Sequence, residues 1–215
     1  GYVVLLAKGA GLLEAQHLEA HSTADGSVTL RHRVLDVLYR STGGAQGESE
    51  HVFVNGSGLP TQQGVWRVLE LGFGTGLNFL TTAAQAQRLG RSLNYVAVDA
   101  EPIPPEFVPV GYPHTDLARA ALTACRQSDK PQTMQAAGIC LELHPRRWQE
   151  AQLTLEPVHA VFHDPFDPSV NPDCWTVEAF AWSRTRITPT GRLATYSAAG
   201  HIRRAMREAG YVVAR

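Results

Sequence analysis

The chain is poor in cysteine and methionine and has no excess of charge of either sign. Its three cysteines, Cys125, Cys140 and Cys174, lie far apart and form no Cys-x-x-Cys pair, which argues against a disulfide framework and a thiolate metal site. Reduced thiols and a cytoplasmic location are the expectation. Nineteen basic residues against 20 acidic ones give a formal net charge of −1, so no global basic field announces a nucleic-acid binder. The apolar start Tyr2-Val-Val-Leu-Leu-Ala7 is far shorter than a spanning helix of about 20 residues or a signal-peptide core with its flanks. No membrane partner is expected. Internal repeats and low-complexity tracts are also lacking.

What is present fits one α/β domain with an appendage: 215 residues, 44% hydrophobic and 18% charged. Residues 1–64 read as an N-terminal β-rich annex. Asp25-Gly26 is a turn signal, Val28 to Tyr39 carries β-branched and aromatic positions, and Ser41 to Gly47 is a loop. A strand-like His51-Val-Phe-Val54 and a turn at Asn55-Gly-Ser-Gly58 follow. From 65 to 215, strands alternate with helices, the pattern of a parallel sheet with crossover helices on both faces. Strands are expected at Val65–Leu71, Leu93–Val98, Ile139–Leu143, His159–His163, Arg192–Ser197 and Tyr211–Ala214. Helices are expected at Gly76–Leu89, Thr115–Gln127, Pro172–Ile187 and Ala198–Ala209. The fold class is therefore a Rossmann-like sheet with a small antiparallel annex.

The stretch Arg67-Val-Leu-Glu-Leu-Gly-Phe-Gly-Thr-Gly-Leu-Asn-Phe-Leu80 is the most informative. A buried strand entering a glycine-rich turn and then a helix lets backbone approach a small ligand closely. The dinucleotide fingerprint is Gly-x-Gly-x-x-Gly, whereas this loop reads Gly72-x-Gly74-x-Gly76 behind Glu70. A carboxylate there repels a pyrophosphate and suits a sulfonium zwitterion. The loop resembles that of Rossmann-like methyltransferases, which implies S-adenosylmethionine as methyl donor, S-adenosylhomocysteine as product, and Glu70 facing the methionine end. Donor-binding residues expected on this basis are Glu70, Gly72, Phe73, Gly74, Thr75, Gly76, Asn78, Asp99 and Asp164. Asp99 ends the second strand, where an acid accepts bonds from ribose hydroxyls. The blander readings are a tight turn without ligand and a solvated acid.

A second constellation, Asp164-Pro-Phe-Asp-Pro168, follows the fourth strand, whose carboxyl end faces the same crevice. It resembles the Asp-Pro-Pro-aromatic loop of amino-methyltransferases. Asp164 is expected to orient an amine and help it deprotonate, Phe166 to pack against the substrate, and Asp167 to stand in reserve. The alternative is a plain turn. Asn171 reads as a helix cap, and Trp175, Phe180 and Trp182 as packing residues.

Taken together, Glu70 to Leu80, Asp164-Pro-Phe-Asp-Pro-Ser-Val-Asn-Pro-Asp-Cys-Trp175, Ala194 to Arg203 and Ala209-Gly-Tyr211 resemble the methyltransferase part of MnmC-type enzymes. Thr23 to Ser27, Leu35 to Tyr39 and Glu48 to Phe53 extend the likeness upstream, especially to stand-alone members. The resemblance implies methylation of an aminomethyl group on a tRNA wobble uridine, with tRNA as partner. It also implies a stand-alone form, without flavin or the flavin-dependent oxidase half. Where the family carries a Gly-Asp pair after the third strand, this chain reads Leu143-His-Pro-Arg-Arg-Trp148. It ends at Arg215, where the family continues into a basic tail.

Arg146, Arg147, Arg203, Arg204 and Arg207 are candidate phosphate contacts, with a solvated charged face as the plain alternative. His17 and His21 have helix spacing for a metal, but Glu19 is misplaced for the zinc motif, so no metal is expected. Two other functions stay open: the same donor with another amine acceptor, and a donor-binding protein that has lost catalysis. The annex offers a surface for oligomerisation or, in the latter case, for interaction.

Overall fold

After Gly64 the apolar runs are short and rich in Val, Leu and Ala, and each is followed by a segment of helical periodicity. In the computed structural model, which describes residues 18–33, 37–38 and 44–214, these runs form one six-stranded sheet. An extension precedes it, with strands β1 (Leu18–Ser22), β2 (Val28–His32) and β3 (Val37–Leu38) and helix α1 (Ala45–Glu48). The main sheet and its helices follow as β4 (Trp66–Leu71), α2 (Leu77–Arg88), β5 (Leu93–Val98), α3 (Thr115–Gln127) and β6 (Gln132–Ala136). The chain continues through β7 (Ile139–His144), β8 (Val158–His163), α4 (Val177–Arg184), β9 (Ile187–Thr195) and α5 (Gly200–Glu208).

Strand order is β6-β7-β5-β4-β8-β9, all parallel except β6, which pairs antiparallel with β7. The first strand of the sheet, β4, thus lies between β5 and β8, so the order reverses there. Such a reversal, at the carboxyl ends of β4 and β8, is where open α/β sheets take their ligands. Alternation sorts the side chains. Val68, Tyr95, Leu141 and Phe162 share a core with Phe79 of α2 and Leu122 of α3. Leu69, Val158 and Val161 face the other way, toward Leu153, Leu155 and Trp182.

Several expectations need correction. His51–Val54 is not a strand: α1 runs directly into π-helical winding over Ser49–Asn55. Ala45, Ser49 and Phe53 are fully buried while Gly47 and His51 between them are exposed, a spacing of four without two that suits a helical face and not a strand face. The Tyr211–Ala214 strand is absent. Gly210 closes α5, the Tyr211 amide returns to the Met206 carbonyl (3.0 Å), and its hydroxyl meets Ser183 (2.8 Å). β6 lacked an apolar signal because its residues are only half-buried or exposed at the sheet edge. In addition, the Pro172–Ile187 helix is a short 3-10 turn, Pro172–Trp175, followed by α4, and β9 begins earlier than expected, at Ile187. The expected strand end at Tyr39 and the start of the 41–47 loop lie outside the described residues, as does His17. His21 is on β1, not on a helix.

The hairpin turn caps α1 from a distance. The first free amides of the helix, Ala45, Gln46 and Gly47, reach Thr23 Oγ1 (3.4 Å), Ser27 Oγ (3.2 Å) and Asp25 Oδ2 (3.1 Å). The hydroxyls of Ser27 and Thr23, with the Gly47 amide, hold the Asp25 carboxyl well below the usual carboxylate range. Leu18, Leu30, Phe53 and Leu59 belong to the same core cluster as the main sheet. Phe53 meets Phe162 of β8 edge-on, with ring centroids 5.6 Å apart. Phe53→Ala is therefore expected to cost about 3–5 kcal/mol of the whole fold in one transition. Urea unfolding followed by both far-UV circular dichroism and tryptophan fluorescence checks this, and two separate transitions would contradict it.

Candidate functional site

Gly72 is where three strand ends meet. Its amide donates to the Val98 carbonyl of β5 (2.9 Å), while the Asp164 amide after β8 donates to the Leu71 carbonyl (2.9 Å). Its φ of +90° is open to glycine, and a Cβ there would stand 2.5 Å from the Asp164 carbonyl oxygen. The contact is backbone against backbone, so no side chain fits between. Gly76 then starts α2 with φ +80°, over the ring of Phe73. That ring is in the core, so what Phe73 offers a ligand is its backbone. Thr75 is largely covered.

The acidic groups gather around this junction. Glu70 points into the core side of β4 and is 0% exposed. Its carboxylate accepts from Asn78 Nδ2 (2.8 Å) and from the Tyr95 hydroxyl (2.7 Å). The same Asn78 nitrogen donates to Asp164 Oδ2 (3.0 Å), so one amide joins the two carboxylates. Glu70 is thus placed beneath the crevice, with Asp164, half-buried, as the acid nearer its mouth. Asp99 accepts from the Gly74 amide (2.8 Å) at Oδ2 and from the Glu101 amide (2.9 Å) at Oδ1. Burial pushes its carboxyl above the ordinary value, against the pull of those amides and that of Phe73. Each Asp99 oxygen keeps lone-pair capacity for a further donor.

The Asp164-Pro-Phe166 loop is clamped at each residue after the aspartate. The Pro165 carbonyl accepts from the Tyr196 hydroxyl (2.7 Å), the Phe166 amide donates to Asn171 Oδ1 (3.0 Å), and the Phe166 carbonyl accepts from Trp175 Nε1 (2.7 Å). Asn171 therefore braces the loop instead of capping the turn after it, where it makes no cap bond. Trp175 and Phe180 pack as expected, and Trp182 meets Trp148 at a tilt, with ring centroids 5.9 Å apart. Asp167 is exposed and its carboxylate is engaged by the amide (2.8 Å) and hydroxyl of Ser169. It serves a turn and does not join the Asn78 pair. Tyr196 and Ser49 lie in stretches that resemble the MnmC family and Tyr95 does not, but none of the three had a role in the sequence; the sheet register and the winding that follows α1 bring them here.

His163, just before Asp164, points to the opposite face between Trp175 and Phe180, with centroids at 4.8 and 4.6 Å. Burial pushes its pKa down to about 3, against the smaller opposing pull of the Cys174 backbone. Of the arginines, Arg147 pairs with Asp173 (3.0 Å) and Arg146 lies 3.8 Å from Asp129. Arg204 and Arg207 are exposed on α5, and Arg203 is half-buried. Among the described residues no group of three or more His, Cys, Asp or Glu could hold a metal ion, and no helix is long and apolar enough to cross a membrane.

A glycine loop fronted by an acid, at the reversal of a parallel sheet and beside an acidic loop, is the arrangement of Rossmann-like methyltransferase folds. Residues 128–215 match the model of a family described as S-adenosyl-L-methionine-dependent methyltransferase. Over most of its length the chain is similar to MnmC proteins. The chain is 34% identical over 198 residues to the tRNA 5-methylaminomethyl-2-thiouridine biosynthesis bifunctional protein MnmC of Ralstonia nicotianae, over 83% of this chain and 29% of that protein. The protein of the same name from Cupriavidus necator is 30% identical over 203 residues, 84% of this chain and 30% of the relative. The chain thus spans less than a third of the curated relatives it matches. The crystal structure of MnmC2 from Aquifex aeolicus shares the fold with a TM-score of 0.76 and 26% identity, over 90% of this chain and 64% of that one.

Two outcomes follow from this geometry. Gly72→Ala forces an unfavourable φ and a backbone clash; a loss of about 1–3 kcal/mol of stability and of more than about tenfold in S-adenosylhomocysteine affinity is expected. Thermal melts and calorimetry measure both, and a wild-type affinity would contradict the close-approach argument. His163 is neutral when folded and takes up a proton when unfolded below about pH 6.5. Its stabilising share is full above that pH and is lost as pH falls toward 3, on the order of 4 kcal/mol in all. His163→Phe should shift the acid-unfolding midpoint to lower pH, and an unmoved midpoint would show that other groups govern acid unfolding.

Proposed function

We propose that the chain transfers a methyl group from S-adenosylmethionine to the aminomethyl substituent of a modified wobble uridine in tRNA. The observation that carries the reading is the backbone junction at Gly72, which sets the half-buried Asp164 beside the glycine loop. Kinship with MnmC proteins, whose name specifies tRNA 5-methylaminomethyl-2-thiouridine biosynthesis, supports the choice of acceptor.

S-adenosylmethionine supplies an electrophilic methyl on a sulfonium. The chain's residues divide the remaining tasks. The loop 72–76 offers amides and close approach, and Asp99 accepts from the ribose hydroxyls. Glu70, through Asn78, gives the methionine end a negative surround. Displacement at the methyl is in-line, so turnover depends on holding the amine with its lone pair aimed at carbon. An alkyl amine of pKa about 10 arrives mostly protonated at neutral pH. Asp164 accepts a bond from its N–H, orients it, and eases departure of the proton before attack. Phe166 stands two residues on, fixed by Asn171 and Trp175, to pack against the acceptor. Asp167 is occupied by Ser169 and takes no part.

Incubation with tritiated donor should label tRNA from cells deficient in the modification, and Asp164→Asn should lower that rate about 10²–10³-fold while leaving S-adenosylhomocysteine affinity within about twofold. Labelling of small amines with none of tRNA would move the acceptor elsewhere. Donor binding with no methylated product would leave a protein that has lost catalysis.

A further inference from the structure

Asn78 has two amide protons, and the carboxylates use both directions: Glu70 Oε1 at 2.8 Å and Asp164 Oδ2 at 3.0 Å. The two N–H bonds set the plane of the amide, and its carbonyl end needs a donor of its own. The extension supplies that third point. The Ser49 hydroxyl donates to Asn78 Oδ1 at 2.7 Å, from the other side of the amide. Ser49 is fully buried and its oxygen lies 2.7 Å from Thr81 Oγ1, so its position is fixed as well. Its single proton goes to the amide oxygen, which can only accept, so toward Thr81 it is an acceptor, sharing the Thr81 proton with the Leu77 carbonyl (2.9 Å).

Ser49 belongs to the extension, 29 residues before Asn78 in the chain. It stands at the first residue of the π-helical winding, in the helix whose opening amides are held by Thr23, Asp25 and Ser27. Widened helical turns of this kind recur where a side chain must be aimed. We infer that Ser49 is a positioning residue for methyl transfer, acting through Asn78 on Asp164. This rests on the role proposed above for Asp164. Without the hydroxyl, Asn78 Oδ1 is a buried acceptor with a lost partner, and the amide swings to recover one, taking its N–H off Asp164. The donor's ribose end, held at Asp99, is untouched. The extension thereby acts on turnover, not only on stability.

The test compares Ser49→Ala, Ser49→Thr, Ser57→Ala and Asp164→Asn in methyl transfer to undermodified tRNA, with S-adenosylhomocysteine affinity read by calorimetry. Ser57 is the control: its hydroxyl is also buried but serves the Val54 carbonyl (3.0 Å), away from Asn78. Ser49→Ala is expected to lower kcat about tenfold with KM and product affinity within about twofold, Ser49→Thr to recover most of the rate, and Ser57→Ala to leave it unchanged. If the alanine variant does not fold, Ser49→Cys, a weaker donor of similar size, should show the same kcat-only loss. An unchanged kcat in the Ser49 variants, or an equal loss in Ser57→Ala, overturns the inference. Full activity in Asp164→Asn would instead overturn the reading on which it rests.

Discussion

The main sheet joins its ligand edge to its acidic loop through a contact with no side chain in it. Gly72 bonds to Val98 on one flank, and its neighbour Leu71 accepts from Asp164 on the other. Because β5, β4 and β8 run parallel and adjacent, their carboxyl ends already point one way. What the glycine adds is closeness: a Cβ at 2.5 Å from the Asp164 carbonyl would push the two loops apart. The reach from Asn78 to Asp164, the seat of Asp99 on Gly74 and the start of α2 at Gly76 all inherit that distance.

Electrostatics at this edge is organised by neutral donors. Glu70 is met by an amide and a phenol, Asp99 by backbone amides, Asp164 by the same amide as Glu70. These bonds hold three acidic side chains at one edge of a chain of formal net charge −1. On the proposed reading such a cluster suits a sulfonium zwitterion and an ammonium acceptor, and the phosphates of a tRNA would meet cations set aside from it: α5, which starts five residues after the end of β9, carries Arg203, Arg204 and Arg207.

Much of this was legible in the sequence because local and global demands agreed. Leu93–Val98 and Thr115–Gln127 have unambiguous periods, and the glycine loop states its own geometry. Where the reading went astray, the deciding partner lay elsewhere in the chain. Val52-Phe-Val54 looks like a strand by residue type, and only the burial of Ala45, Ser49 and Phe53 with Gly47 and His51 exposed between them declares a helix. No cap residue precedes α1, since its cap comes from the hairpin turn 22 residues earlier. The β6–β7 hairpin turns on Ala137-Gly138, with Ala137 at φ +49°, and so lacks the Asn-Gly signature that marks such turns. Glu70 was legible as an acid before a glycine loop, but its burial was not, because that depends on Tyr95 across the β4–β5 register.

Placing a helix where a strand was expected changes what the extension is. A strand at His51–Val54 would have added polar backbone bonds at an edge; a helix lays one face across the sheet and α2. On that face Phe53 meets Phe162 of β8, while Ser49, one turn earlier, meets Asn78 of α2. Phe162 precedes His163 on β8 and Asp164 follows where the strand ends, so both contacts lead to the acidic loop, one through the core and one through the amide. Tyr95 ties them together, bonded to Glu70 and packed on Phe162 with centroids 6.1 Å apart. The floor of the crevice and the top of the core are therefore the same set of residues, and a cut between extension and sheet passes through the site itself.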